Sequence, residues 1–271
     1  MSKTLSTALV GLVRFATAYL KPYRRVSTRA QVAEMLVPVV RVPSKVGDLV
    51  FTVPTQRSAY EPMHLQENEP ETIRWLDSLP CDEVLWDIGA NNGLYTIYAA
   101  KALGLRVLAF EPSASTYAVL TRNIELNRLD DRVDAYCLAF DDHSHLEHLR
   151  MASTEAGHSM HAFGQDHSVQ GEIKTIFRQA VPGFSIADFC TLFNPVLPDH
   201  IKLDVDSIEL KILHGATEIL GARVKTVMVE VEGDQIGHQI RTFLSGLGFV
   251  EDIDYATGLG HTRNCLFRRV P

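Results

Sequence analysis

A single run of ten residues, 84–93, constrains the fold of this chain more than any other feature of its sequence. Its apolar first half predicts a buried strand. Its second half, from Gly89 to Gly93, predicts a tight turn that leads into a helix. A second apolar run, residues 106–110, ends in Glu111. A strand, a glycine-rich turn, a helix and a second strand with an acid at its end predict a nucleoside-binding half of an α/β sheet.

Asp87, two residues before Gly89, indicates which nucleoside is bound. Dinucleotide sites use G-x-G-x-x-G, because a pyrophosphate has to lie on bare backbone N–H groups. A carboxylate repels a pyrophosphate, whereas it attracts the ammonium and sulfonium groups of S-adenosylmethionine. The sequence therefore predicts S-adenosylmethionine as the cofactor, with its ribose hydroxyls on Glu111. Asp141, which follows the third strand, is expected to accept a hydrogen bond from the adenine amino group or to lie in a solvated turn.

The charge and the cysteine spacing argue against several classes of protein. The net charge of −7 over 271 residues does not suit nucleic-acid binding, which requires a basic face. The four cysteines are widely spaced and form no C-x-x-C pair. This spacing is typical of reduced thiols in a cytoplasmic protein, and not of a zinc site or a disulfide framework.

Residues 1–60 are predicted to form an extension of helix and strand that precedes the main domain, residues 61–271. Apolar residues from Leu5 to Leu20 recur at helical spacing, but Arg14 interrupts them and the stretch is too short to cross a bilayer. We expect this helix to pack on the domain or on a partner chain, which leaves oligomerisation open. Loose contact with a membrane surface, aided by the basic cluster 21–25, is the less favoured alternative.

The main domain alternates strands and helices, which predicts a mostly parallel sheet covered by helices on both faces. The expected strands are 84–87, 106–110, 133–139, 200–204 and 226–231, followed by an antiparallel hairpin of 249–255 and 264–268. The expected helices are 70–79, 93–103, 114–127, 206–220 and 235–247. Residues 141–199 are too long for a simple crossover and predict an insertion, with a polar loop over 141–170, a strand at 172–180 and a helix at 186–193.

Insertions at the carboxyl edge of such a sheet select substrates, and the expected acceptor contacts in this one are His158, Ser159 and His161. Six of the eleven histidines lie between residues 143 and 167. No metal-ligand pattern accompanies them, so we predict no metal site. His158 is instead a candidate catalytic residue, because imidazole titrates near neutral pH.

The end of the fourth strand carries the other candidate catalytic residue, Asp204. It follows a buried strand at the edge where ligands bind, and it is predicted to position the acceptor or to act as general base. Capping of the next helix is the alternative. Asp206 and Glu209 follow as candidate acceptor contacts, although a structural role in the first turn of the helix is the favoured interpretation of Glu209.

Four motifs together resemble the FkbM family of S-adenosylmethionine-dependent methyltransferases over about residues 61–232. They are Glu69-Pro70-Glu71-Thr72, the pattern D-[IV]-G-A-N-x-G-x-Y-T from Asp87 to Thr96, A-F-E-P from Ala109 to Pro112, and a stretch from Ile201 to Ala216 that is similar to the family's I-K-[IL]-D-V-E-G-x-E followed by L-x-G-A. The resemblance implies a Rossmann-like class I methyltransferase fold. It also implies donor contacts at Gly89, Ala90, Asn91, Gly93 and Pro112.

The family resemblance implies O-methylation of a hydroxyl on a sugar, a glycan or a secondary metabolite. The chain departs from the family at Asp206-Ser207, where the family has Glu-Gly. A non-catalytic relative that binds a nucleoside or a carbohydrate stays open for this reason. An NAD-dependent oxidoreductase is less favoured, because Asp87 and the missing third glycine do not suit a pyrophosphate.

Overall fold

The computed structural model describes residues 2–159, 161–165, 167–168, 171–172, 174–257 and 262–270. It divides into two compact units, residues 1–39 and residues 40–271. The boundary predicted at residue 60 falls inside the second unit, because Leu49, Phe51 and Val53 are buried in the core of that unit.

The helices are, in chain order, α1 (Ser2–Ala16), α2 (Pro22–Met35), α3 (Gln56–Met63), α4 (Leu65–Asn68), α5 (Pro70–Asp77), α6 (Leu94–Ile97, continued by a π-helical turn, Tyr98–Ala102), α7 (Ala114–Asn127), α8 (Ile186–Phe193), α9 (Glu209–Gly215), α10 (Thr217–Ala222) and α11 (Asp234–Gly246). The strands are β1 (Val39–Val42), β2 (Leu49–Thr52), β3 (Val84–Ile88), β4 (Arg106–Phe110), β5 (Val133–Tyr136), β6 (Ala139–Phe140), β7 (His145–Met151), β8 (His161–Phe163), β9 (His167–Ser168), β10 (Gly171–Glu172), β11 (Phe177–Phe184), β12 (His200–Leu203), β13 (Thr226–Glu232), β14 (Phe249–Thr257) and β15 (Thr262–Arg269).

The first unit consists of α1 and α2. The guanidinium Nε of Arg29 donates to Thr17 Oγ1 at 2.8 Å, which links α2 to the end of α1. Among the residues that the structure describes, no helix combines the length and the apolar character needed to cross a membrane.

The second unit is built on a seven-stranded sheet with the order β14-β15-β13-β12-β3-β4-β5. The strands from β13 to β5 are parallel, and the hairpin β14–β15 adds two antiparallel strands at one edge. All five residues of β3 are buried, as expected for a central strand that helices cover on both faces. Alternation along β3 sends Trp86 into one core and Leu85 into the other. The predicted seven-stranded α/β fold with an antiparallel hairpin is confirmed.

The insertion after β5 forms a second sheet with the order β6-β11-β7-β8. The polar loop predicted for residues 141–170 is therefore wrong, because β7 pairs antiparallel with β11 from Met151↔Phe177 to His145↔Gly183. The apolar residues of β7 do not alternate regularly with polar ones, because Leu146 is exposed on one face whereas Leu149 and Met151 are buried on the other. Part of the strand predicted for residues 172–180 lies outside the described residues.

The prediction of one continuous helix over residues 206–220 is also wrong, both at its start and in its middle. Residues 204–208 form a turn in which Asp206 (φ 58) and Ser207 (φ 92) adopt positive φ. The helical part begins at Glu209 and divides into α9 and α10 at Ala216. This turn places the residues after β12 at the carboxyl edge of the sheet, next to the turn that follows β3.

Candidate active site

A cavity of about 350 Å³ opens where β3, β4 and β12 end. The carboxyl ends of parallel strands meet at one edge of a sheet, and ligands of such folds bind there. Ten of the predicted site residues line the cavity: Gly89, Ala90, Asn91, Glu111, Pro112, His158, Ser159, His161, Asp204 and Asp206. Asp87, Gly93, Asp141 and Glu209 are not among its lining residues.

The turn after β3 packs tightly against the end of β12. Gly89 has φ +85, and a Cβ at this position would lie 1.7 Å from the carbonyl oxygen of Asp204. Glycine is therefore required both by the backbone conformation and by the close approach of the two strands. The N–H groups of Gly89 and Ala90 donate to Phe110 O at 2.9 and 3.0 Å, which ties the turn to the end of β4.

Glu111, at the end of β4, is buried behind this turn. Its Oε2 accepts from Asn91 N at 3.0 Å, and its Oε1 accepts from Ser113 N at 2.8 Å. Burial raises its pKa to about 7, against the lowering effect of these two bonds. Because a carboxylate has about four acceptor positions, both oxygens retain capacity toward a ligand in the cavity.

Asp87 lies one layer behind the cavity wall. Its Oδ2 accepts from Thr96 Oγ1 at 2.5 Å. Its Oδ1 is buried and has no hydrogen-bond partner among the described residues. Burial raises the pKa of this carboxyl group, although Lys202 opposes the shift. A buried acceptor without a donor is uncommon, and it fits a ligand that brings a positive charge and N–H donors.

The buried cation beside the cavity is Lys202 on β12. Its Nζ donates to Asp204 Oδ2 at 2.7 Å and lies 4.9 Å from the centroid of the Tyr95 ring. Burial alone would lower the pKa of Lys202, but the carboxylates of Asp204, Glu69 and Asp87 outweigh it and raise the pKa. Lys202 therefore stays charged and holds the Asp204 carboxylate in place.

Two further acids line the same cavity, Glu61 from α3 and Glu69 before α5. Burial, reinforced by Asp204 and Glu69, raises the pKa of Glu61 to about 7. Burial also raises the pKa of Glu69, whose Oε2 accepts from Thr72 Oγ1 at 2.9 Å. In all, five carboxyl groups and one ammonium line the cavity. Such a wall fits the ammonium and sulfonium of S-adenosylmethionine and repels a pyrophosphate.

The mouth of the cavity carries His158, Ser159 and His161 from the insertion. The rings of His158 and His161 stack with their centroids 5.6 Å apart. His161 is only 8% exposed, and neither ring nitrogen has a hydrogen-bond partner among the described residues. Burial, with His158 nearby, lowers its pKa to about 4, so the ring is neutral at physiological pH. His161 thus offers one unpaired donor and one unpaired acceptor to a ligand.

A second, shallower pocket adjoins this mouth and is lined by Gln56, Arg57, Tyr60, Glu61, Glu155, Gly157, His158 and Ser159. Arg57 donates to Ser159 Oγ at 3.2 Å, and Thr55 Oγ1 donates to Ala156 O at 2.8 Å. These bonds join α3 to the insertion. Across the described residues, no three His, Cys, Asp or Glu side chains are arranged to hold a metal ion.

The predicted residues that do not line the cavity support its walls. Gly93 (φ +83) begins α6. Asp141 is buried; its Oδ1 accepts from the backbone N of Asp142 at 2.8 Å, and its Oδ2 lies 3.7 Å from His145 Nε2. Glu209 accepts from Val205 N and Ser207 N at 3.4 and 3.3 Å. These bonds fit the structural interpretation of Glu209 and not a contact with the acceptor.

Ser207→Gly is expected to raise the free energy of unfolding by about 0.5–1 kcal/mol. A side chain at φ 92 costs about 1–2 kcal/mol of strain, part of which the greater freedom of glycine in the unfolded chain offsets. Urea titration measures the change. Ser245→Gly, within α11, is the matched control and should lower the free energy slightly. A loss of stability in Ser207→Gly would contradict the assignment of strain to this turn.

Comparison with known proteins agrees with this geometry. The profile of the family described as "Methyltransferase FkbM domain" matches residues 87–251. Methyltransferase sdnD of Sordaria araneosa is 27% identical over 202 residues, which cover 64% of this chain and 75% of that protein. Methyltransferase 1 of Beauveria bassiana (strain ARSEF 2860) is 25% identical over 205 residues, covering 65% and 77%.

Among solved structures, the chain is similar to Methyltransferase FkbM from Methylobacillus flagellatus KT, with 14% identity and a TM-score of 0.47. The similarity covers 69% of this chain, and it spans 44% of the length of that solved chain.

Proposed function

Because this chain belongs to the FkbM methyltransferase family, we propose that it methylates a hydroxyl oxygen of a sugar, a glycan or a hydroxylated secondary metabolite. Family membership makes the chain a methyltransferase that uses S-adenosylmethionine. When bound, this cofactor supplies an electrophilic methyl group on a sulfonium. The class of acceptor and the roles of individual residues are what we propose here.

The donor is proposed to lie against the turn after β3 and the end of β4. Glu111 would accept from the ribose hydroxyls, with Pro112 beside it, and the backbone of Gly89, Ala90 and Asn91 would allow close approach. Asp87, which lies behind the cavity wall, would attract the positively charged end through its charge and not through a direct contact. Any adenine contact of Asp141 would use Oδ2, because Oδ1 already accepts from the backbone N of Asp142.

The observation that carries the hydroxyl assignment is the composition of the cavity mouth. Imidazole, hydroxyl and guanidinium groups from His158, His161, Ser159 and Arg57 meet there, beside the partly exposed ring of Tyr60. This combination of donors, acceptors and an aromatic face suits a polyhydroxylated molecule better than an apolar one. Asp206, which also lines the cavity, would accept a hydrogen bond from a further hydroxyl of the acceptor.

A hydroxyl acceptor has to lose its proton as the new C–O bond forms, and Asp204 is proposed to serve this step. Lys202 fixes its Oδ2. The carboxylate is therefore oriented toward the cavity, where it can align a hydroxyl and accept its proton. His158, at the mouth, is the proposed alternative acceptor of the proton. A closed mouth formed by α3 and the insertion would also limit access of water.

Transfer from deuteromethyl-labelled S-adenosylmethionine to a panel of sugars, oligosaccharides and hydroxylated aromatic compounds tests this proposal. We expect a deuteromethyl ether, identified by mass spectrometry and NMR, and no product from the matched deoxy analogue of the reactive acceptor. Methylation at nitrogen, carbon or sulfur would contradict the hydroxyl assignment. Donor binding without transfer to any acceptor would favour the non-catalytic alternative.

A further inference from the structure

The charge of the chain is divided very unevenly along its length. Residues 1–33 contain six of the 26 lysines and arginines and none of the 33 acids, since the first acid is Glu34. The remaining residues therefore hold 20 basic and 33 acidic side chains. A basic segment attached to an acidic body is not explained by methyl transfer at the cavity, and it indicates a negatively charged partner.

The same segment exposes apolar side chains that helices of globular proteins usually bury. Leu5, Leu9 and Leu12 of α1 have the i, i+4, i+7 spacing that places side chains on one face of a helix. Each of the three is more than half exposed, and Phe15 beside them is 81% exposed. Arg14 projects from the opposite face of the helix. The helix is therefore amphipathic, with an apolar face that lies open.

Aromatic and basic side chains follow this face along the chain. Tyr19 and Tyr23 are both more than four-fifths exposed, and Lys21, Arg24 and Arg25 lie between or beside them. Amphipathic helices with leucine and phenylalanine on one face and nearby basic residues bind in the plane of a membrane interface. Tyrosine suits the same region, since its ring is apolar and its hydroxyl is polar.

We propose that residues 2–36 form a docking segment for an anionic phospholipid surface. The apolar face of α1 would enter the boundary between headgroups and acyl chains, and the basic side chains that follow would contact the phosphates. Pairing with the same segment of a second copy is a poorer alternative, because two such segments, each with six cations and no acid before Glu34, repel one another. The segment would hold the protein at the surface without crossing it.

Vesicle sedimentation with the full chain tests this proposal without any measurement of methyl transfer. We expect the protein to sediment with vesicles of phosphatidylcholine and phosphatidylglycerol, to stay in solution with phosphatidylcholine alone, and to be released as salt is raised. Arg24→Glu with Arg25→Glu should weaken binding by at least about 30-fold. Leu9→Ser with Leu12→Ser should weaken it by a similar factor.

Two matched controls lie outside the segment. Leu146→Ser removes a leucine that is 84% exposed, and Arg122→Glu reverses an exposed charge on α7; neither should change vesicle binding. Circular dichroism confirms that each variant is folded. Absence of binding to the anionic vesicles, or binding that both segment variants retain, would overturn the proposal. If light scattering instead shows a dimer, and Leu9→Ser dissociates it, the apolar face of α1 binds a second copy of the chain.

Discussion

Asp204→Asn is expected to lower the turnover of methyl transfer by about 10²–10⁴-fold, the usual contribution of a positioned acid or base. The amide keeps the shape of the carboxylate, and its oxygen can still accept from Lys202 Nζ, which lies 2.7 Å from Asp204 Oδ2. It cannot take the proton of a hydroxyl. The affinity for S-adenosylhomocysteine, measured by calorimetry, should change much less than turnover.

Asp234→Asn is the matched control for this variant, because Asp234 is almost fully exposed and pairs with Arg263 at the surface. Its turnover should equal that of the unmodified protein. Near-normal turnover in Asp204→Asn would leave Asp204 as a partner of Lys202 only. The proton acceptor would then have to be sought at His158.

Lys202→Met is expected to lower the free energy of unfolding by about 3–5 kcal/mol, since it leaves the carboxylates of Asp204, Glu69 and Asp87 without their buried cation. The loss should be smaller at mildly acidic pH than at alkaline pH. Burial already raises the pKa of Glu61 and Glu69, so these groups take up protons as the pH falls and the repulsion left in the variant decreases. Urea titrations at several pH values measure both effects.

Lys225→Met is the matched control, because it makes the same substitution at a lysine that also pairs with acids. Lys225 also pairs with two acids, Glu83 and Asp199, but its side chain is half exposed, so its removal should cost only about 0–1 kcal/mol. Equal losses in the two variants would mean that the pair of Lys202 and Asp204 is as well solvated as a surface pair. The electrostatic description of the cavity would then be wrong.

The sequence predicts the turn after β3 and the acid at the end of β4 well because the relevant signals are local. The turn from Gly89 to Gly93 and the acid at Glu111 lie within one strand-turn-helix-strand unit, and their backbone requirements can be read from residue type and spacing. The alternation of strands and helices likewise predicts the mostly parallel sheet with an antiparallel hairpin. The local signal has limits even here: Gly89 proves to be required by the nearby carbonyl of Asp204, which directly follows β12, far along the chain.

The rest of the cavity depends on contacts between distant segments, which residue spacing does not encode. Glu61 and Tyr60 reach the cavity because α3 is bonded to the insertion through Thr55 and Arg57. No motif marks these positions. The small sheet of the insertion is hard to predict for a related reason, since the apolar residues of β7 fall on both faces: Leu146 is exposed, whereas Leu149 and Met151 are buried.

Calorimetric titration of Glu111→Ala with S-adenosylmethionine and with S-adenosylhomocysteine tests the assignment of the donor site most directly. Because the ribose is common to both ligands, the binding free energies of both should weaken by the same amount, about 1.5–3 kcal/mol. Glu125→Ala, an exposed acid on α7, should leave both unchanged. Undiminished affinity of folded Glu111→Ala for S-adenosylmethionine, or a loss confined to one of the two ligands, would contradict the placement of the ribose on Glu111.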